Sequence, residues 1–171
     1  MKVGFDTGIL MAWLHPTSTT ALPVPDGPAR VNLLVRTLTK QRATIVIPTP
    51  ALSEFLVLAA SHGPTYLQQL DRSPVVNIQP FDLRAAVEAA DAHCRASLQG
   101  NKRGGATGSW QKVKVDRQIV AIAKVQGVDC LYSTDGDIKN LAVSMGVQVE
   151  LLADLPLPAP TLFSHGGQPE P

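Results

Sequence analysis

A chain of 171 residues with a formal net charge of +1 can form one domain around a hydrophobic core, and its near neutrality argues against a constitutive basic coat for nucleic acid. The two cysteines, Cys94 and Cys130, lack metal-site spacing, so we expect small core residues in a reducing compartment. No apolar run approaches the roughly 20 residues that cross a bilayer, and the N-terminal segment is unlike a signal peptide. We therefore expect a cytoplasmic protein that does not bind membranes.

The apolar pattern predicts short strands that alternate with helices. Runs rich in β-branched and other apolar residues, typical of buried strands, occur at five places. The predicted strands are Val3–Phe5, Thr44–Ile47, Val75–Ile78, Cys130–Tyr132 and Val147–Leu151. Such alternation predicts an α/β fold in which helices cover both faces of a parallel sheet. We find no internal repeat.

Capping signals and helical spacing place helices between these strands. Asp82 is expected to cap a helix that buries a face of four residues. Those four residues are Leu83, Val87, Ala90 and Cys94. Thr17–Pro28 is rich in Thr, Pro and Gly and is predicted to be a loop, as is the glycine-rich, basic segment Gln99–Gly108. We expect a domain over residues 1–155 and a disordered, proline-rich tail over residues 156–171.

Acidic residues occur in four segments that the predicted sheet would bring together. Asp6 and Asp135 each follow an apolar strand, Glu54 lies in the first turns of the next helix, and Asp116 lies at the start of the helix before the fourth strand. Sites in open α/β sheets form at the carboxyl ends of strands, so these four carboxylates are expected to converge. Such anions repel one another unless a cation neutralises them. An all-oxygen set favours Mg²⁺ or Mn²⁺ over zinc, and these ions support phosphodiester hydrolysis.

Four segments, taken together in their order and spacing, resemble the PIN-domain family. They are VGFDTGIL, IPTPALSEF, VDRQIVAIAKVQGVD and LYSTDGDIKNL. The resemblance runs from Val3 to about Leu151 and is greatest to the VapC-like toxins of toxin–antitoxin modules. It implies a three-layer α/β/α sandwich with a central parallel sheet and RNA cleavage that depends on Mg²⁺ or Mn²⁺. It further implies a small antitoxin protein as partner if the chain is a toxin, and we expect a homodimer.

The resemblance also implies roles for particular residues. The expected catalytic acids and metal ligands are Asp6, Glu54, Asp116 and Asp135, with Asp137 as a further ligand. The hydroxyl residues expected to orient these ligands or to cap backbone groups are Thr7, Ser133 and Thr134. Taken singly, Asp6 and Asp116 fit helix caps equally well.

A basic segment precedes the third acid. Its cations Lys102, Arg103, Lys112 and Lys114 are candidate contacts to RNA phosphates, and the alternative is a solvated surface loop. Trp110 could stack on a base or pin the segment to the core.

Two further motif resemblances do not fit the rest of the sequence. The triplet Asp6-Thr7-Gly8 resembles that of aspartic proteases, but it occurs once and in an α/β pattern. Haloacid-dehalogenase-like phosphatases need a second Asp at position 8, which is Gly. A PIN-fold RNA-binding or assembly module without catalysis, and a PIN nuclease in RNA processing, remain as alternatives to a toxin.

Overall fold

The computed structural model describes residues 1–15, 24–103 and 105–159, and within them five parallel strands form one sheet. The strands are β1 (Lys2–Phe5), β2 (Thr44–Pro48), β3 (Val76–Gln79), β4 (Cys130–Ser133) and β5 (Val149–Leu151). Their order across the sheet is β3-β2-β1-β4-β5, and every neighbouring pair is parallel. The parallel α/β sheet that the sequence predicts is therefore confirmed.

Helices cover the sheet in a three-layer α/β/α sandwich, as predicted. They are α1 (Thr7–Leu14), α2 (Gly27–Lys40), α3 (Thr49–Ala59), α4 (Gly63–Asp71), α5 (Leu83–Leu98), α6 (Trp110–Val125) and α7 (Gly136–Ser144). Two short 3₁₀ turns cover Ala60–His62 and Leu152–Asp154. In the described ranges no helix is both long and apolar enough to span a membrane.

The central strand β1 is buried because sheet neighbours flank it and helices cover it. Val3 and Phe5 have no exposed surface, and burying such a side chain stabilises a fold by about 1.5–3 kcal/mol. The Phe5 ring packs edge-on against Trp13 at 5.9 Å and against Tyr132 at 6.0 Å between ring centroids. This packing fixes the end of β1, where the chain continues directly into Asp6.

The prediction for the buried face of α5 is wrong. Asp82 caps this helix as expected, since its Oδ1 accepts from Ala85 N at 2.9 Å, but Leu83 and Val87 are 80% and 61% exposed. Cys94 is also exposed, so it is not a core residue, while Cys130 is half-buried. The buried positions are Ala85 and Ala92, whose small side chains let α5 pack closely on α6. Ala90 is exposed as well, so apolar periodicity selected the wrong face of the helix.

Two predicted boundaries also need correction. The first loop was expected to extend to Pro28, but α2 begins at Gly27, and proline suits the first turn of a helix. Helix α6 begins at Trp110, so Lys112 and Lys114 belong to a helix, and Asp116 lies in its second turn and not at its start. Residues 16–23 of the predicted loop and residues 160–171 of the predicted tail lie outside the described residues.

Candidate functional site

One cavity of about 490 Å³ opens beside the carboxyl ends of β1 and β4. All four acids expected at this edge, Asp6, Glu54, Asp116 and Asp135, contribute to its lining, and Lys112 joins them. The acids come from the ends of β1 and β4 and from α3 and α6, so four segments distant in sequence meet here. The position agrees with the general location of sites in open α/β sheets.

Asp6 is buried and held by three hydrogen bonds. Its Oδ1 accepts from Ile9 N at 2.8 Å, which caps α1, and its Oδ2 accepts from Thr134 N at 3.3 Å and from the Ser133 hydroxyl. Burial is the main cause that raises the pKa of Asp6 to about 6, and these hydrogen bonds oppose the rise. The Asp6 side chain thus caps α1 and also lines the cavity.

The approach of α1 to the end of β4 depends on Gly8. A Cβ atom at this position would lie 1.9 Å from Thr134 Oγ1, which is far inside contact distance. Any larger residue would therefore require the Thr134 side chain to shift.

Glu54 and Thr7 form a second pair at the cavity. The Thr7 hydroxyl donates to Glu54 Oε2 at 2.6 Å, linking the first turn of α1 to α3. This bond leaves the other carboxylate oxygen of the half-buried Glu54 without a hydrogen-bond partner among the described residues. This bond is the geometry that an orienting role for Thr7 would require.

Lys112 supplies the positive charge that clustered carboxylates require. Its Nζ donates to Asp116 Oδ2 at 2.7 Å and also forms an ion pair with Asp135 Oδ2. Burial disfavours the charged lysine, but the hydrogen bonds to both carboxylates outweigh it and raise the pKa of Lys112. Sequence reasoning placed this residue among the RNA contacts and missed the ion pairs. The four-residue spacing between Lys112 and Asp116, within one helix, was the available signal.

The donor chemistry of the cavity fits a hard divalent cation. Carboxylate oxygens are the ligands that Mg²⁺ and Mn²⁺ prefer, and the lining contains no histidine or cysteine among the described residues. As placed, no three His, Cys, Asp or Glu side chains in the described ranges are close enough to hold an ion together. The ammonium group of Lys112 stands between Asp116 and Asp135. An ion bound by these two acids would therefore have to displace Lys112.

Asp137 is not among the residues that line the cavity. Its Oδ2 accepts from Thr107 N at 2.9 Å, from Gly108 N at 3.0 Å and from Thr107 Oγ1 at 3.1 Å. Burial acts to raise the pKa of Asp137, but these hydrogen bonds outweigh it and the pKa is lowered. Asp137 thus ties the basic segment to the start of α7, and its expected role as a metal ligand gains no support.

The other three predicted RNA contacts also lie away from the cavity lining. Lys102 and Lys114 place their Nζ atoms 5.7 and 5.4 Å from the centroid of the Trp110 ring. Arg103 Nη1 donates to the backbone oxygen of Gly108 at 3.5 Å. The basic residues therefore divide into two groups, with Lys112 at the acids and the rest on the segment before α6 or around its first turns.

In the absence of metal, Asp6 and Asp116 are expected to contribute stability that grows as the pH falls from about 7 towards 4. Burial is the main cause that raises the pKa values of Asp6 and Asp116 to about 6, above their usual 3.8. The folded state therefore binds these protons more tightly than the unfolded chain, and this contribution is complete below 3.8 and lost as the pH rises through 6. Urea unfolding in EDTA at several pH values measures the effect. Asp116→Asn should reduce the pH dependence, and an unchanged dependence would contradict this account.

Comparison with solved structures identifies the fold. The chain has the PIN-domain fold of VapC toxins, as its similarity to solved structures shows. One is a chain of the VapBC2 complex of Rickettsia felis, solved with a DNA fragment from their promoter, with 17% identity, a TM-score of 0.60, and coverage of 88% of this chain and 98% of that chain. Another is VapC20 of Mycobacterium tuberculosis, a toxin that cleaves the sarcin–ricin loop, with 15% identity, a TM-score of 0.52, and coverage of 80% and 92%. No protein-family model and no curated protein sequence matches the chain.

Proposed function

We propose that this chain is a metal-dependent endoribonuclease that hydrolyses phosphodiester bonds in RNA. The observation that carries the proposal is the meeting of Asp6, Glu54, Asp116 and Asp135 in one open cavity at the carboxyl edge of the sheet. Carboxylates grouped in this way are costly unless they bind a cation. The fold shared with VapC20, a toxin that cleaves the sarcin–ricin loop, supports the proposal.

The four acids would hold one or two Mg²⁺ or Mn²⁺ ions, which supply activated water and stabilise charge on the phosphate. Around them the chain's own residues provide fixed geometry. The Ser133 hydroxyl and the Thr134 amide hold Asp6, and the Thr7 hydroxyl holds Glu54. Lys112 also lines the cavity, where its ammonium group would be available to an RNA phosphate if an ion held Asp116 and Asp135.

Cleavage of RNA by purified protein is expected to require a divalent ion. Activity should be present with Mn²⁺ or Mg²⁺, stop with EDTA, and return when either ion is restored. The substrate should be a mixed pool of structured and single-stranded RNA, because the cavity does not define a sequence preference. If no RNA in the pool is cleaved with either ion, the proposed activity is wrong.

We further propose that the enzyme is the toxin of a type II toxin–antitoxin module. The shared fold with a VapBC2 chain supports this, as do two exposed aliphatic residues at the cavity rim. Val57 and Leu58 line the cavity and are 77% and 46% exposed, which suits a site that a partner protein covers. Arrest of growth on expression alone, relieved by a small protein from the neighbouring reading frame, is the expected result. Harmless expression of active enzyme would contradict the toxin assignment and leave the nuclease intact.

One observation favours a second candidate, a PIN-fold RNA-binding module without catalysis. The ammonium group of Lys112 pairs with Asp116 and Asp135, so these two acids have a counter-charge from the chain itself. In a non-catalytic module this pairing would be permanent, and divalent ions would neither stabilise the fold nor move Lys112. The two functions therefore differ in metal binding as well as in activity.

A further inference from the structure

Arg117 is a buried cation without a carboxylate partner among the described residues. Its side chain is 3% exposed, its Nη1 lies 3.2 Å from His93 Nδ1, and its Nη2 donates to the backbone oxygen of Lys102 at 3.0 Å. The buried Nε has no hydrogen-bond partner in the described part of the chain. Burial of an arginine without a counter-charge is costly, and neutral partners compensate it only in part. Such a group indicates a place for an anion.

Arg117 lines a pocket separate from the acid cavity. This pocket has a volume of about 240 Å³. Its lining includes Phe81, His93, Trp110, Lys114, Arg117 and Gln118. None of the described residues that line it is acidic, although the whole chain is almost neutral. The pocket thus combines aromatic and positively charged groups, which is the chemistry that recognises a nucleotide.

Three cations surround the indole of Trp110. Lys114 Nζ lies 5.4 Å from the ring centroid, Lys102 Nζ 5.7 Å and Arg117 Cζ 5.8 Å. Each is attracted to the ring, but the three charges repel one another. An anionic group bound among them would relieve that repulsion, and a base attached to it could stack on the partly exposed indole.

The two sites use different faces of α6. Lys112 and Asp116, four residues apart, face the acid cavity, whereas Trp110, Lys114 and Arg117 recur at helical spacing on the opposite side. A helix with its side chains is about 10–12 Å across. A single RNA strand that passes the start of α6 can therefore reach both sites.

We propose that this second pocket binds one nucleotide of the single-stranded RNA substrate, with its base on Trp110 and its phosphate at Arg117 and Lys114. The inference deepens the proposed nuclease function and rests on it, because it names where the substrate extends beyond the acids. It assigns to the pocket affinity and positioning, and no part in the chemical step.

Tryptophan fluorescence can test the pocket directly. The chain has two tryptophans, so Trp13→Phe leaves Trp110 as the single reporter. In EDTA, where cleavage does not interfere, a short single-stranded RNA should quench this fluorescence saturably, and adenosine monophosphate should do so more weakly. Lys114→Ala in this background should weaken RNA binding at low salt by at least about fivefold. Lys40→Ala, which removes an equal charge from the end of α2, should change it by less than about twofold.

Labelled RNA and fluorescence anisotropy extend the test to the indole and to the buried arginine. Trp110→Leu should weaken binding by at least about fivefold, and Trp110→Phe should retain most of it. Arg117→Met should also weaken RNA binding. If Arg117→Met does not fold, the two Trp110 variants and Lys114→Ala still test the proposal. The proposal would be overturned if RNA does not quench the fluorescence, or if the mononucleotide quenches it and RNA does not. Equal effects of the Lys114 and Lys40 variants on RNA binding would also overturn it.

Cleavage assays separate this proposal from the nuclease itself. In Mn²⁺, Trp110→Leu and Lys114→Ala should raise KM for RNA and change kcat little, because the pocket is remote from the acids. If both variants keep the wild-type KM, the proposed nucleotide pocket is wrong, and the proposed nuclease activity is not affected. If RNA binds at Trp110 but the wild type cleaves no RNA, the proposed RNA-binding pocket is supported and the proposed nuclease activity is wrong.

Discussion

Asp135→Asn is expected to lower RNA cleavage in Mn²⁺ by at least about 100-fold while the protein stays folded, because it removes a metal-binding charge without changing the side chain's shape. Asp135 is a favourable position for this test. Its side chain is 30% exposed, and its Oδ1 caps α7 by accepting from Asp137 N at 2.8 Å, which asparagine can also do. Cleavage rates, with circular dichroism as the check on folding, measure the effect.

A matched control removes an equal charge elsewhere. Asp91 lies on α5 in an exposed ion pair with Arg95, so Asp91→Asn should leave cleavage unchanged. Asp6→Asn should also abolish cleavage, but its amide would face the Ser133 and Thr134 donors and cost about 1–3 kcal/mol of stability. Full activity in purified Asp135→Asn would show that this acid is not part of the reaction.

Lys112→Met is expected to destabilise metal-free protein and to increase its response to Mn²⁺. The substitution leaves Asp116 and Asp135 without their counter-charge, and Lys112 is 40% exposed, so we expect a loss of about 1–2 kcal/mol, less than for a fully buried pair. Mn²⁺ no longer competes with an ammonium group, so saturating ion should raise Tm by more than in the wild type. Thermal unfolding in EDTA and in Mn²⁺ measures both effects.

Lys139→Met is the control for this comparison, because Lys139 is exposed on α7 and has no ion pair among the described residues. Its Tm should respond to Mn²⁺ as the wild type does. The interpretation fails if Lys112→Met matches the wild type in EDTA and in Mn²⁺. It also fails if neither protein responds to the ion, and that result would favour the non-catalytic RNA-binding module.

Features carried by local sequence could be predicted. Runs of β-branched and other apolar residues indicated all five strands, and the places of Asp6 and Asp135 just after β1 and β4 indicated the edge of the sheet at which the acids lie. The cap of α5 by Asp82 could also be predicted, because a helix N-cap involves only residues three apart. These signals depend on neighbours in the chain and not on how the helices pack.

Features that depend on packing between elements could not be predicted. Lys112 pairs with Asp135 across 23 residues because α6 lies beside the start of α7, and the sequence alone does not reveal that contact. The burial of Arg117 beside His93 likewise follows from the packing of α5 on α6. The same packing selects alanines for the buried face of α5, where apolar periodicity had favoured Leu83 and Val87.

A crystal structure of the protein grown with Mn²⁺ tests the central claim most directly, because anomalous scattering locates the ion independently of any assay. We expect an anomalous peak among the carboxylates of Asp6, Glu54, Asp116 and Asp135, with Lys112 Nζ moved away from Asp116 and Asp135. Asp135→Asn, crystallised under the same conditions, should lose or weaken the peak. A saturating concentration of Mn²⁺ that gives no peak in the cavity, with Lys112 still paired to both acids, would contradict the account.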